Sequence, residues 1–291
     1  MQGTERALAL GPAVEALARS GALPRVAQYL ARSFVGIHEL RPRPAALFAT
    51  QQRWLLCHAA LAHYFRAARE GRPSISRQEF WKLAVTHGIA SRNTAIAFFE
   101  EVVKYAMAAK TAARDVVEPT PEILTLVGQW YALHLQAFDL IDAGDRATRF
   151  MAGPMEILPL AQPIVADHLL SDPLVRVPGP HYAIFTWADA GGLIMDRLVA
   201  GADLDALLDG GRYVTDVVAI THLAEHVHLS RAHTSGKLAA AEAIGGLGWT
   251  EKRGRSPIWI SQAFVDEYAR AQALKLVILD HALTLALAGS A

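Results

Sequence analysis

Two stretches of this chain share a pattern that few folds accommodate: LAVTHGIASRNTAIAFFEEV, from Leu83 to Val102, and LAEHVHLSRAHTSGKLAAAE, from Leu223 to Glu242. Each has Leu-Ala, a few residues closing on an apolar one, then Ser-Arg and a second run of helical periodicity. Ser91 and Ser230 stand 139 residues apart, and the first copy carries one extra residue ahead of its serine. A repeat of this kind points to an internal duplication. Each half is then expected to hold a helix, a tight turn and a second helix.

Around these pairs apolar residues recur at three and four, so most of the chain reads as helix. Helices are expected over 4–19 and 24–34, broken at Gly21 and Pro24, and over 50–69 before the GRPS turn. Another begins after the Pro119-Thr-Pro121 stop, two more cover 181–199 and 203–208, and a long one runs from Ser261. The basic, proline-punctuated RPRP at 41–44 reads as a boundary, and proline-rich 151–180 as a connector. The expected division is an N-terminal helical segment 1–40, a first domain 41–150, the connector 151–180 and a second domain 181–291.

Twenty-eight basic residues balance 28 acidic ones. A strongly basic nucleic-acid-coating protein is excluded, whereas a local basic stripe can still hold phosphates. The single cysteine, Cys57, sits in the apolar run WLLCHAALAHYF and leaves no disulfide framework or thiolate zinc cluster. The N-terminus lacks the order of a signal peptide, and no apolar stretch reads as long enough to span a bilayer. A cytoplasmic protein without membrane attachment is expected.

The serines suit helix N-caps, whose hydroxyl satisfies an orphan backbone N–H and contributes about 1 kcal/mol. Counting from them, Ala95, Phe98, Phe99 and Val102 should face the core in the first copy, and Thr234, Lys237, Leu238 and Ala241 in the second. Lys237 is expected to snorkel outward. The opposite faces offer Arg92, Asn93 and Ile96, and Arg231, Ala232, His233 and Ser235. Arginine and asparagine suit guanine and adenine edges, and an exposed helix start suits a phosphate.

After the second copy, Leu247–Thr250 and Ile258–Ile260 alternate around EKRGRSP, a hairpin signal with a basic tip at Lys252, Arg253 and Arg255. Beside a DNA-reading helix such a tip reaches a phosphate or the minor groove. Trp249 and Trp259 would brace it. The matching AMAAKTAARDVVEPT of the first copy is alanine-rich, so its wing is expected to be short, disordered or poorly paired.

This order of helix, helix-turn-helix, wing and long closing helix resembles the MarR-type winged-helix transcription regulators over 50–143 and 181–288. The resemblance implies a mainly α fold with small β-hairpin wings, as tandem winged helix-turn-helix domains. It also implies a non-enzymatic regulator of double-stranded DNA, a small-molecule effector, and a pseudo-dimer in one polypeptide or a four-headed homodimer. Carried over by position, Ser91, Arg92, Asn93, Ser230, Arg231 and His233 belong to the recognition helices and Arg253 and Arg255 to a wing; Ser235 and Lys252 join them from the spacing.

Two other readings compete. Helix-turn-helix copies without a DNA surface would serve as protein–protein or dimerisation modules. His222-Leu-Ala-Glu225-His226 also matches the H-x-x-E-H pattern of inverted zinc peptidases. Glu242, Glu251 and Glu267 are the remaining downstream glutamates, and none has a recognisable ligand context. No G-x-S-x-G elbow or phosphate-cradling glycine loop is present, so neither a catalytic residue nor a cofactor is assigned.

Overall fold

A computed structural model describes residues 2–41, 50–176, 178–186 and 191–289, the first eight of these by backbone alone. The chain is mainly helical with two small antiparallel sheets. It divides into two compact units, each discontinuous in sequence. One comprises Met1–Gly11, Gln52–Arg176 and Lys275–Ala291, the other Pro12–Gln51 and Val177–Leu274. The chain opens with α1 (Gln2–Ala18) and α2 (Leu23–Leu40). All of the RPRP stretch except Arg41 lies outside the described residues.

In the first unit α3 (Gln51–Arg69) precedes a short strand, β1 (Ile75–Ser76), and α4 (Arg77–Thr86). Ser76 and Glu79 start α4 with a reciprocal capping box: the Ser76 side chain accepts from the Glu79 N–H, and Glu79 Oε2 accepts from the Ser76 N–H at 2.8 Å. The Ser76 hydroxyl, donating at 2.7 Å, holds the Glu79 carboxyl below its ordinary pKa. Next come α5 (Arg92–Lys104), β2 (Ala108–Lys110) and β3 (Val116–Pro119). The sheet runs β1-β3-β2, with Ile75 opposite Val117 and Ala109 opposite Glu118. The first hairpin therefore exists, paired over three residues, although alanines weakened its signal.

Pro121 at the first turn starts α6 (Pro121–Asp142), followed by α7 (Arg146–Met151). The segment expected as a connector holds an 18-residue helix, α8 (Pro154–Ser171), then α9 (Pro173–Arg176). Pro159 and Pro163 lie inside α8. A proline removes the N–H that would bond the carbonyl four residues earlier. Here the Pro159 carbonyl, left without the Pro163 N–H, accepts instead from the Arg69 guanidinium at 2.8 Å. Ile157, Leu158, Val165 and Leu169 bury the helix's inner face, which offsets the broken ladder.

A buried polar chain lies between α3, α6 and α8. The Tyr131 hydroxyl donates to Gln162 Oε1 at 2.7 Å, and Gln162 Nε2 donates to His58 Nδ1 at 2.9 Å and to the His58 carbonyl. Burial holds both His58 and His134 down to about 3, so both are neutral at ordinary pH. Cys57, on the same helix, has its thiol pushed up to about 12 by burial, which removes thiolate chemistry.

The second unit contains α2, α10 (Pro180–Thr186) and α11 (Gly192–Ala200). Residues 187–190, inside the helix expected over 181–199, lie outside the described residues. Glu267 closes the start of α10 by accepting from the His181 and Tyr182 N–H groups at 2.9 and 3.1 Å while pairing with His181 Nδ1 at 2.6 Å. The expected helix over 203–208 is instead a strand, β4 (Ala202–Leu208), paired with β5 (Arg212–Thr215). Gly210 and Gly211, at φ 79° and 68°, make the left-handed turn that such a hairpin needs.

There follow α12 (Ile220–His226), α13 (Arg231–Ala243), β6 (Leu247–Trp249), β7 (Ile258–Ser261) and α14 (Gln262–Ala288). The sheet order is β4-β5-β7-β6. Apart from the edge strand β4, the succession β5, α12, α13, β6, β7 repeats that of β1, α4, α5, β2, β3, with strands ordered first, third, second in both.

Contrary to the expectation of no membrane-length stretch, α14 is long and apolar enough to cross a bilayer. More than half of the apolar window in its C-terminal part is buried inside the protein, including Ile278 and Leu283.

Candidate nucleic-acid interface

Both helix pairs end their first helix with the same bonds. In the first unit the Gly88 N–H donates to the Val85 carbonyl and the Ile89 N–H to Ala84, at 2.9 and 2.8 Å. In the second the His228 N–H donates to Glu225 and the Leu229 N–H to Ala224, at 3.1 and 3.0 Å. Gly88 (φ 58°) and His228 (φ 53°) both take the left-handed conformation that reverses the chain after a helix.

Two or three residues later the serines act as expected. Ser91 Oγ accepts from the Thr94 N–H at 3.2 Å, and Ser230 Oγ from the His233 N–H at 3.1 Å. Ala95, Phe98 and Phe99 are buried, with Phe80 of α4 stacked on Phe98 at 6.2 Å; Val102 is only half-buried. In the second unit Thr234, Leu238 and Ala241 are buried. Lys237 does not snorkel outward: its ammonium donates to the Ile184 carbonyl at 2.6 Å, closing the end of α10.

On the outer faces Ser91, Arg92, Asn93, Ser230 and Arg231 are exposed, while Ile96 is half-buried. The Arg92 guanidinium lies 5.0 Å over the Trp81 ring, which pre-orients it. Arg176 binds the carbonyls of the first turn, donating to His87 and Gly88 at 3.0 and 2.7 Å. Spacing alone did not point to Trp81 or Arg176; Trp81 on the outer side of α4 was the one visible signal. His233 and Ser235 are half-buried, and His233 Nε2 is enclosed, which takes that nitrogen off the outer face.

The second hairpin spans the expected residues, with Trp249 opposite Ile258. Its tip is tight: the Arg255 and Ser256 N–H groups both donate to the Lys252 carbonyl, and Ser256 Oγ accepts from the Glu251 N–H. Trp259 Nε1 donates to the Trp249 carbonyl, and the Trp259 ring covers Gly248, where any Cβ would fall 2.4 Å from the indole. Arg253 turns back, pairing with Glu242 of α13 at 2.7 Å and lying 4.7 Å over Trp249. Lys252 and Arg255 stay exposed at the tip, and Arg212, absent from the sequence candidates, lies 4.4 Å over Trp259.

The first unit is less basic around its helix. Arg53 pairs with Glu101 at 2.6 Å, and Arg77 with Glu100 and Asp115 at 3.0 and 2.8 Å. Lys110 and Arg114 are the exposed cations of its hairpin. No family model, curated protein or solved structure matches this chain.

Of the metal-like triplet, His222 and Glu225 are exposed and His226 half-buried. Among the described residues no group of three or more histidine, cysteine or carboxylate side chains is placed to hold a metal.

Proposed function

We propose that this chain is a double-stranded DNA-binding transcription regulator that reads sequence with two winged helix-turn-helix units. The reading rests on one observation above all. In both units a serine-capped helix with an exposed first turn follows a left-handed reversal and precedes a hairpin, over sheets of the same strand order. That geometry offers side chains to a major groove and a wing to the flanking backbone.

In this reading the second unit does most of the binding. Arg231 contacts a base edge, Ser230 and the first-turn N–H groups meet a phosphate, and Lys252 and Arg255 hold the backbone. Arg92 and Asn93 read a second site. The mechanism needs no cofactor, a homodimer and a small-molecule effector remain part of the proposal through the MarR resemblance, and the site of action is the cytoplasm.

Fluorescence anisotropy on labelled duplexes selected from genomic fragments tests this. Binding should weaken steeply with salt, and Arg231→Ala should cost about 1–3 kcal/mol on the selected site with little change on a random duplex. Unchanged affinity in that variant removes the second unit from the reading. A second reading has a specific basis in the first unit, where Glu100 and Glu101 neutralise the arginines around α5. There the helix pair would serve a protein partner, and Arg92→Ala with Asn93→Ala would leave DNA affinity unchanged.

A further inference from the structure

The reversal ahead of α13 carries a group that DNA reading does not require. His228 occupies the left-handed position that the first unit gives to Gly88. An L side chain adopts this conformation rarely, and such outliers gather where function maintains them. The His228 ring lies 5.3 Å from that of His38, on the last turn of α2. His38 is 2 % exposed, and its ring meets the backbone of His226 and no side-chain hydrogen-bond partner among the described residues. Beside it, His226 Nε2 stands 3.3 Å from Oε1 of Glu39. Three imidazoles and one carboxylate thus join the end of α2 to the turn that leads into α13.

We infer that His38, His226 and His228 form an acid-operated latch that holds the α12–α13 turn in its DNA-reading position at neutral pH and releases it in mild acid. The inference rests on the DNA-binding reading for its consequence, though not for the latch itself. At neutral pH the buried His38 is uncharged and its ring lies against that of His228. Burial first, then His228 and His226, push the His38 imidazole below its ordinary value, with a hydrogen bond to the His226 backbone and the Glu39 carboxylate offsetting this only in part.

The sign follows. An undocked His38 takes up a proton near its ordinary pKa of about 6.5, whereas the docked one resists it. Docking is therefore fully favoured above about pH 6.5 and loses strength as the pH falls below it. A proton taken up by His38 places a charge in a buried site where Glu39 is the carboxylate that faces it, so acid drives the two segments apart.

Hydrogen exchange of the full chain, corrected for the intrinsic pH dependence of exchange, tests the latch in peptides covering 220–234. Between about pH 7.5 and about pH 5.5 protection should fall by about five- to tenfold, the upper figure being the limit for one histidine that takes up a proton only when undocked. In His38→Phe with His228→Gly the fall should shrink to about threefold or less. Glycine suits the positive φ; if the double variant fails to fold, His38→Gln alone carries the comparison. Constant protection in the native chain, or an equal fall in the variant, overturns the latch.

Anisotropy on the selected duplex supplies the second arm. Affinity should drop in acid for the native chain and hold in the variant. If exchange responds to pH while affinity does not, the regulatory consequence is overturned. If no duplex binds at any pH, the DNA reading fails, and the exchange measurement still decides the latch.

Discussion

The residues that matter most here are those whose chemistry is local. An N-cap serine acts on an N–H three residues away, so Ser91 and Ser230 were legible from the sequence. Ser230→Ala should destabilise the second unit by about 1 kcal/mol, read as a lowered denaturant midpoint, whereas Ser230→Asp should be nearly neutral. Lys237 shows the opposite case. Its apolar-face position was visible, but its partner carbonyl lies 53 residues earlier in the chain, beyond the reach of periodicity. Arg253 was read as a free wing cation for the same reason, since only the fold brings Glu242 beside it.

At the scale of elements, helices with regular apolar spacing were legible, and irregular ones were not. The prolines of α8 masked a helix because the compensation, Arg69 on the Pro159 carbonyl, comes from another element. Strand β4 was read as helix because its leucines fit either period, although the glycine pair after it marked a hairpin. The Arg253–Glu242 pair fastens the second hairpin to α13, which under the proposed function yields an unusual expectation. Removing a negative charge near DNA ordinarily tightens binding, yet Glu242→Gln should weaken it by about two- to fivefold, since an exposed pair contributes about 0–1 kcal/mol to placing the wing. Tighter binding by that variant, in a titration at fixed salt, would show that the wing needs no fastening. Within the hairpin, Gly248→Val should lower the melting temperature by displacing Trp259.

For the whole molecule, a neutral chain that binds DNA as proposed would do so only through local charge, so the salt slope would measure how many cations engage. Replacing Lys252 with alanine should reduce that slope by about one, an outcome that a titration series across salt concentrations checks directly. Acid should also unfold the first unit through His58 and His134. Both are held neutral down to about 3, so the unfolded chain binds more protons from about pH 6.5 downward. Stability should be complete above that point and fall by up to about 1.4 kcal/mol per pH unit for each histidine. Denaturant midpoints from neutral to mildly acid pH, native against His134→Gln, measure it.

The repeated helix pair was visible in the sequence, but not the way the units are assembled from it. Within α14 the residues up to Leu274 fall in one unit and those from Lys275 in the other. Cutting the gene between its halves would leave each fragment missing pieces of its own interior, so neither the first 150 residues nor the last 110 or so should express as an ordered protein. Dissection of this chain has to proceed by side-chain replacement, and a library of truncations would report failed folding in place of lost function.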